Sequence, residues 1–234
     1  MSLENKVVMI TGAAGNLGQA VATAFAAART KLALVDISDA ILHTAYPQAG
    51  AGHFLAAADL MNSASTADAV SSIVSHYGRL DAVCNIAGGF RMGPAVHETP
   101  AELWRLMLDL NAGTLLNVAH AVVPHLLAGG AGKIVNIGAG AGQHGQAQMG
   151  AYSASKSAVI RLTEAMAGEL RDRNINVNCI LPSIIDTPQN RTAMPNADAS
   201  RWVAPADLAA VILFLCSDAA RAIHGAAIPV SGLS

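Results

Sequence analysis

Seven short runs rich in apolar residues punctuate the chain, with longer helical patterns between them. They are Val7–Ile10, Leu32–Val35, Phe54–Ala57, Ala82–Ile86, Lys133–Ile137, Val177–Leu181 and Ile228–Val230. A strand with one wet face alternates apolar and polar residues; these runs do not alternate, so both faces must be covered. Between them, Leu17–Ala28 puts Leu17, Val21, Ala24, Phe25 and Ala28 on one face of a helix. Further helices are expected over Ala67–His76, from Thr99 to about Leu127, over Tyr152–Arg171 and over Ala206–Cys216. Thr99, Pro100 and Glu102 read as cap, first helical residue and capping-box partner. Strand–helix alternation implies crossover connections, hence an α/β fold with a doubly wound parallel sheet and helices on both faces.

A length of 234 residues suits one such domain, spanning 1–234. Hydrophobic types make up 53% and charged types 13%, against about 25% charged in an average soluble protein. That balance excludes disorder and raises the question of a membrane protein. No run approaches the ~20 consecutive apolar residues of a spanning helix, and Met1–Lys6 is too polar for a secretory leader. A net charge of −2 argues against nucleic acid. Cys84, Cys179 and Cys216 lie inside apolar runs and read as buried, reduced thiols of a cytoplasmic protein. No His, Cys, Asp or Glu cluster has metal-ligand spacing, so no metal is expected; His120 and His125 read as structural.

Two motifs carry chemistry. Gly12, Gly15 and Gly18 lie between the first strand and first helix, with Asn16 and Leu17 between the last two. Glycine there permits a tight turn and close approach of a pyrophosphate to the helix N-terminus. The alternative is an ordinary strand–helix turn. Asp36, 18 residues after Gly18, ends the second strand. Its carboxylate can accept both ribose hydroxyls and would repel a 2′-phosphate, which predicts NAD(H) over NADP(H); the alternative is a cap for the next turn. Tyr152 and Lys156 stand one helical turn apart. An ammonium beside a phenol should lower the phenol's pKa and make it a usable acid or base; the alternative is a surface pair. The glycine-rich stretch 138–150 reads as a site loop.

Together these pieces resemble the short-chain dehydrogenase/reductase family over essentially the whole chain, a Rossmann-like fold. The match runs through Thr11–Gly18, Asp36, Asp59 and Leu60, Asn85 to Gly88, Asn111, Tyr152 to Lys156 and Leu181 to Thr187. The resemblance implies that Asp59 and Leu60 contact adenine, and that Asn85, Ala87 and Gly88 support the central strand and line the cofactor. It implies that Pro182, Ile185 and Thr187 flank the nicotinamide. Tyr152 would be the acid/base, Lys156 would bind the ribose and tune it, and Asn111 would hold a relay water. A homodimer or homotetramer built on helices 100–127 and 152–171, acting on a small molecule, is also implied.

Three departures stand out. Asn16 occupies a position where the family has glycine, and Asn tolerates left-handed backbone. Ser183 follows Pro182 where glycine is usual. Ala139, next to Gly138, stands where the family's catalytic serine belongs, 13 residues before Tyr152. Losing such a donor costs roughly 3–4 kcal/mol where oxyanion charge develops. Gln143, His144 or Gln146 could substitute, or the substrate could need no donor. Dihydropteridine reductases, a branch that also lacks the serine, are locally similar over Ala87–Gly89, Asp186–Arg191, Met194–Pro195 and Ala197 to Trp202. Trp104 and Trp202 read as packing residues, with Trp202 and Met194 placed to close over the site. The expected activity is hydride transfer to or from a carbonyl, alcohol or quinonoid pterin-like compound. The alternative is an NAD-binding sensor or partner subunit with little catalysis.

Overall fold

The computed structural model describes residues 3–48 and 52–234. Seven strands are present: β1 (Val7–Thr11), β2 (Lys31–Asp36), β3 (His53–Ala57), β4 (Ala82–Asn85), β5 (Gly132–Ile137), β6 (Ile175–Pro182) and β7 (Ala227–Val230). Every pairing is parallel, in the order β3-β2-β1-β4-β5-β6-β7. The helices are α1 (Asn16–Ala27), α2 (Asp39–Ala45), α3 (Ser63–Tyr77), α4 (Ala101–Leu108), α5 (Thr114–Gly129), α6 (Gly150–Leu170), α7 (Pro188–Ala193) and α8 (Pro205–Cys216).

The missing alternation has the expected cause. All residues of β1, β4 and β6 are buried. Val8, Ile10 and Ile180 face one core with Val21 and Phe25 of α1 and Ile212 of α8. Met9, Val83 and Val177 face the other with Ile73 of α3 and Val122 and Leu126 of α5. All three cysteines are free and buried.

The sheet reverses direction between β1 and β4: β2 and β3 build outward on one side, β4 to β7 on the other. Loops from adjacent strands diverge at such a point, and a crevice opens beyond the strand ends.

The helix start expected at Thr99 is different. Pro100 is the capping residue, in extended conformation, and α4 begins at Ala101 with no side-chain cap. The Thr99 hydroxyl instead donates to the Ala95 carbonyl at 3.3 Å, which takes it away from the helix. A π turn, Asp109–Gly113, joins α4 to α5, and its wider winding carries Asn111 inward to 3% exposure. Ala101–Gly129 is thus one continuous helix, long and apolar enough by length and composition to cross a membrane. Met107, Leu115, Val118, Val122 and Leu126 along it are buried in the fold, whereas Trp104, Leu106 and Leu116 are exposed. Trp104 is therefore not the packing residue expected; Trp202 is buried.

The short helices α2 and α7 had no counterpart in the sequence reading. Each spans two turns or less, is capped by a hydroxyl (Ser38 and Thr187), and buries at most one side chain, too little for a periodic signal.

Candidate functional site

The crevice at the reversal is a cavity of about 720 Å³, a size that suits a cofactor-scale ligand. One side is the β1–α1 turn. Gly12 has φ +62°, and a Cβ there would come within 2.9 Å of the Ala87 nitrogen. A Cβ on Gly18 would lie 2.2 Å from the Gly12 carbonyl. Both glycines are thus fixed by backbone packing on backbone. Gly15 caps α1 with no side-chain hydrogen bond, so the first amides of the helix face the crevice.

Asn16 differs from expectation. It is the first residue of α1, in helical conformation, so left-handed tolerance is not used. Its side-chain amide donates to Gln189 Oε1 of α7 at 2.8 Å. Asp36 is held at the cavity by two amides: Ala14 donates to Oδ2 and Ile37 to Oδ1, at 2.9 and 2.8 Å. It is not the cap of the next helix, because Ser38 is. The Tyr46 hydroxyl donates to the Ala13 carbonyl, and burial followed by the Asp36 charge pushes it up to about 12. Asp59 Oδ1 accepts from the Met61 amide and, with Leu60, forms the cavity end beside Asp36.

The opposite side is made by α6 and the ends of β4, β5 and β6. Tyr152, Lys156, Ala87, Gly88, Pro182, Ile185 and Thr187 all line the cavity. Two expected residues do not line it. Asn85 points behind the wall, where Nδ2 donates to Asn136 Oδ1, and Asn136 Nδ2 donates in turn to Thr163. Asn111 also lies behind: its Oδ1 accepts from the Gly89 amide, and Nδ2 donates to the Gly89 carbonyl and to Ser155 Oγ. Ser155 Oγ then donates to the Tyr152 carbonyl. Gly88 passes between, where a Cβ would lie 2.7 Å from Asn111 Oδ1 and 3.4 Å from Lys156 Nζ.

Lys156 Nζ donates to the Ile137 carbonyl at 2.9 Å, and burial lowers it to about 8. Burial also pushes Tyr152 up to about 12. The lowering expected at Tyr152 from its lysine neighbour is therefore not seen: the ammonium is turned to β5, and desolvation of the phenolate dominates. Phe90 meets Tyr152 edge to face, with ring centroids 4.9 Å apart. Sequence reasoning missed Phe90, and only its place after Gly88 and Gly89 hinted at it.

These surfaces fit a dinucleotide: a backbone cradle that any Cβ would fill, uncapped helix amides, and a carboxylate at the far end of the cavity. Among the described residues, no group of three His, Cys, Asp or Glu side chains could hold a metal.

A family model for short chain dehydrogenases matches residues 6–198. The chain belongs to the short chain dehydrogenase family. D-threitol dehydrogenase of Mycolicibacterium smegmatis is 32% identical over 98% of this chain and 93% of its own length. A 3-oxoacyl-acyl-carrier-protein reductase of Thermotoga maritima is 32% identical over 99% and 98%. Among solved structures, NAD+-bound xylitol dehydrogenase is 27% identical with a TM-score of 0.90, covering 99% of this chain and all of that one. A short-chain type dehydrogenase/reductase from Mycobacterium ulcerans is 29% identical with a TM-score of 0.93, covering 100% and 90%. As a short chain dehydrogenase, this chain is an NAD(P)-dependent oxidoreductase.

Within that family frame, Ala139 lines the cavity with no hydroxyl to offer. Gly138 cannot supply one, since a Cβ there would lie 2.6 Å from Leu181 Cδ2. Gln143, His144 and Gln146 do not substitute: all three are exposed, and none lines the cavity. Of the 138–150 loop only Gly138 and Ala139 reach the cavity wall, because the chain turns away through a 3-10 turn at Gly140–Gly142. Trp202 and Met194 do not line the cavity either; Trp202 is buried away from it.

Proposed function

We propose that this chain, as one cytoplasmic domain spanning 1–234, moves a hydride between NAD(H), in preference to NADP(H), and a small carbonyl, alcohol or quinonoid compound. The observation that carries the reading is the Tyr152 phenol in the wall of the same cavity as Asp36 and the glycine turn. The nicotinamide supplies or accepts the hydride when bound. The α1 amides and the Gly12–Gly18 turn would bind the pyrophosphate, and Asp36 would accept the ribose hydroxyls and repel a 2′-phosphate. Asp59 and Leu60 would flank the adenine, and Pro182, Ile185 and Thr187 the carboxamide. Gly88, Lys156 and Tyr152 would face the nicotinamide ribose, with Ala87 beside them and Asn85 bracing the strand behind.

Tyr152 would exchange a proton between its hydroxyl and the substrate oxygen. Burial keeps Tyr152 protonated through the physiological range, the form that donates to the substrate oxygen when a carbonyl is reduced. Both hydrogens of Asn111 Nδ2 are engaged, so a relay water would donate to its Oδ1. The exposed Trp104, Leu106 and Leu116 on the 101–129 helix suit a homodimer or homotetramer.

The test is NADH oxidation over a panel of small ketones, quinones and a quinonoid dihydropterin. Tyr152→Phe should lower kcat by about 10²–10⁴-fold while NADH binding changes little. Undiminished turnover would refute the role of Tyr152. Dinucleotide binding without turnover of any compound would favour a sensor.

A further inference from the structure

Phe90 is 45% exposed, yet its ring is not loose on the surface. It lines the cavity and stands at 88° to the Tyr152 ring. A partly positive ring edge against a π face is a favourable and directional contact. The backbone behind it is fixed. Gly89 exchanges two hydrogen bonds with the Asn111 carboxamide, each 3.0 Å. A Cβ on Gly89 would meet Leu110 Cδ2 at 2.6 Å, so the segment packs directly on that side chain. The same carboxamide holds Ser155, whose hydroxyl holds the Tyr152 carbonyl. Tyr152 is therefore gripped twice from Asn111: through its own backbone by Ser155, and through its ring by Phe90.

We infer that Phe90 is a positioning and specificity residue: it fixes the Tyr152 ring at the cavity wall and gives flat, conjugated carbonyl compounds an aromatic face to lie against. The adjoining wall supports this class. Ala139 and Gly138 bring no hydroxyl to the cavity, which leaves Tyr152 without the second donor a hydroxyl at 139 would supply. A conjugated carbonyl spreads its developing charge over a ring and asks less of a second donor than an isolated ketone does. This inference rests on the proposed oxidoreductase reading and on Tyr152 as its acid.

The chain has three tyrosines, Tyr46, Tyr77 and Tyr152, so protein labelled with 3-fluorotyrosine has three ring environments to follow by fluorine NMR. Tyr152→Phe assigns the third. Phe90→Leu keeps apolar bulk without the ring. It should move the Tyr152 signal and leave the other two in place; an unmoved Tyr152 signal overturns the inference whatever the activity. With NADH, Phe90→Leu should raise KM for 9,10-phenanthrenequinone about tenfold and change that for cyclohexanone less than twofold, and Phe90→Tyr should restore the quinone value. Equal effects on both compounds would overturn the specificity role. If Tyr152→Phe leaves turnover intact, the oxidoreductase reading fails instead, and the NMR result still decides the ring contact.

Discussion

The two halves of the cleft are built by different means. The half proposed to hold the nucleotide, around Gly12–Gly18 and Asp36, is made of backbone: uncapped amides, glycines packed against main-chain atoms, and a carboxylate tied to two main-chain nitrogens. The half proposed to hold substrate is made of side chains from distant segments: Phe90, Ala139, Tyr152 and Ser183. A backbone site tolerates almost any neighbouring side chain and so holds one ligand class. A side-chain site can be re-equipped residue by residue; at 139 this one presents an alanine.

The largest expected effect separates Lys156 from everything in the nucleotide half. Its folded value, about 8, lies below its ordinary 10.5. Between those pH values the unfolded chain keeps a proton that the folded chain has lost, so this group's contribution to stability rises with pH across that window. The rise is of the order of 3 kcal/mol. Tyr46 and Tyr152, raised to about 12, act in the opposite sense: stability should fall as pH climbs from 10 through 12. Urea titrations from pH 7 to 9, below the range where the raised thiols of Cys84 and Cys179 act in the opposite sense, should show the start of the rise in the native chain and not in Lys156→Met. An equal rise in both would place the buried charge elsewhere.

Next comes Ala139→Ser. A hydroxyl there should raise kcat for isolated ketones by up to about 10²-fold and leave NADH affinity unchanged. No gain would mean that the substrate half lacks the geometry for such a donor, not merely the atom. Asp36→Ala tests the other half. The NAD-to-NADP affinity ratio should fall about tenfold, measured by fluorescence of the bound reduced cofactors. The smallest effect should come where the halves meet. Asn16 and Gln189 share one exposed hydrogen bond, worth about 1 kcal/mol. Gln189→Ala should speed NADH release a few-fold in stopped flow, whereas an effect above a hundredfold would make that contact a structural strut.

The same division explains what the sequence made legible. The sheet, its burial on both faces and the nucleotide half were readable, because glycine spacing and apolar runs are local and each has one physical cause. Tyr152 and Lys156 were readable from their spacing, and the alanine at 139 drew notice only through the family resemblance. Other features needed the third dimension. The direction of the Lys156 ammonium toward Ile137, the burial that raises Tyr152, and the Asn16–Gln189 contact across 173 residues leave no local trace. Gln143, His144 and Gln146 were attractive only because a glycine-rich loop looks like a site loop; the chain leaves the cavity at Gly140. The cap expected at Thr99 failed because Pro100 is itself extended and ends the approach to the helix.

A sheet in which every pairing is parallel also dictates how the molecule can come into being. No two of its strands can join by a hairpin; each pairing waits for a crossover to be complete. The cleft lies across the β1–β4 seam, where Val8 pairs with Ala82, 74 residues later. A nascent chain that has emerged only as far as β3 therefore carries the whole glycine motif and Asp36 but no crevice. Such topologies fold slowly, and the nucleotide can reward folding only after that seam has closed. Cofactor in the refolding buffer should slow unfolding far more than it speeds refolding.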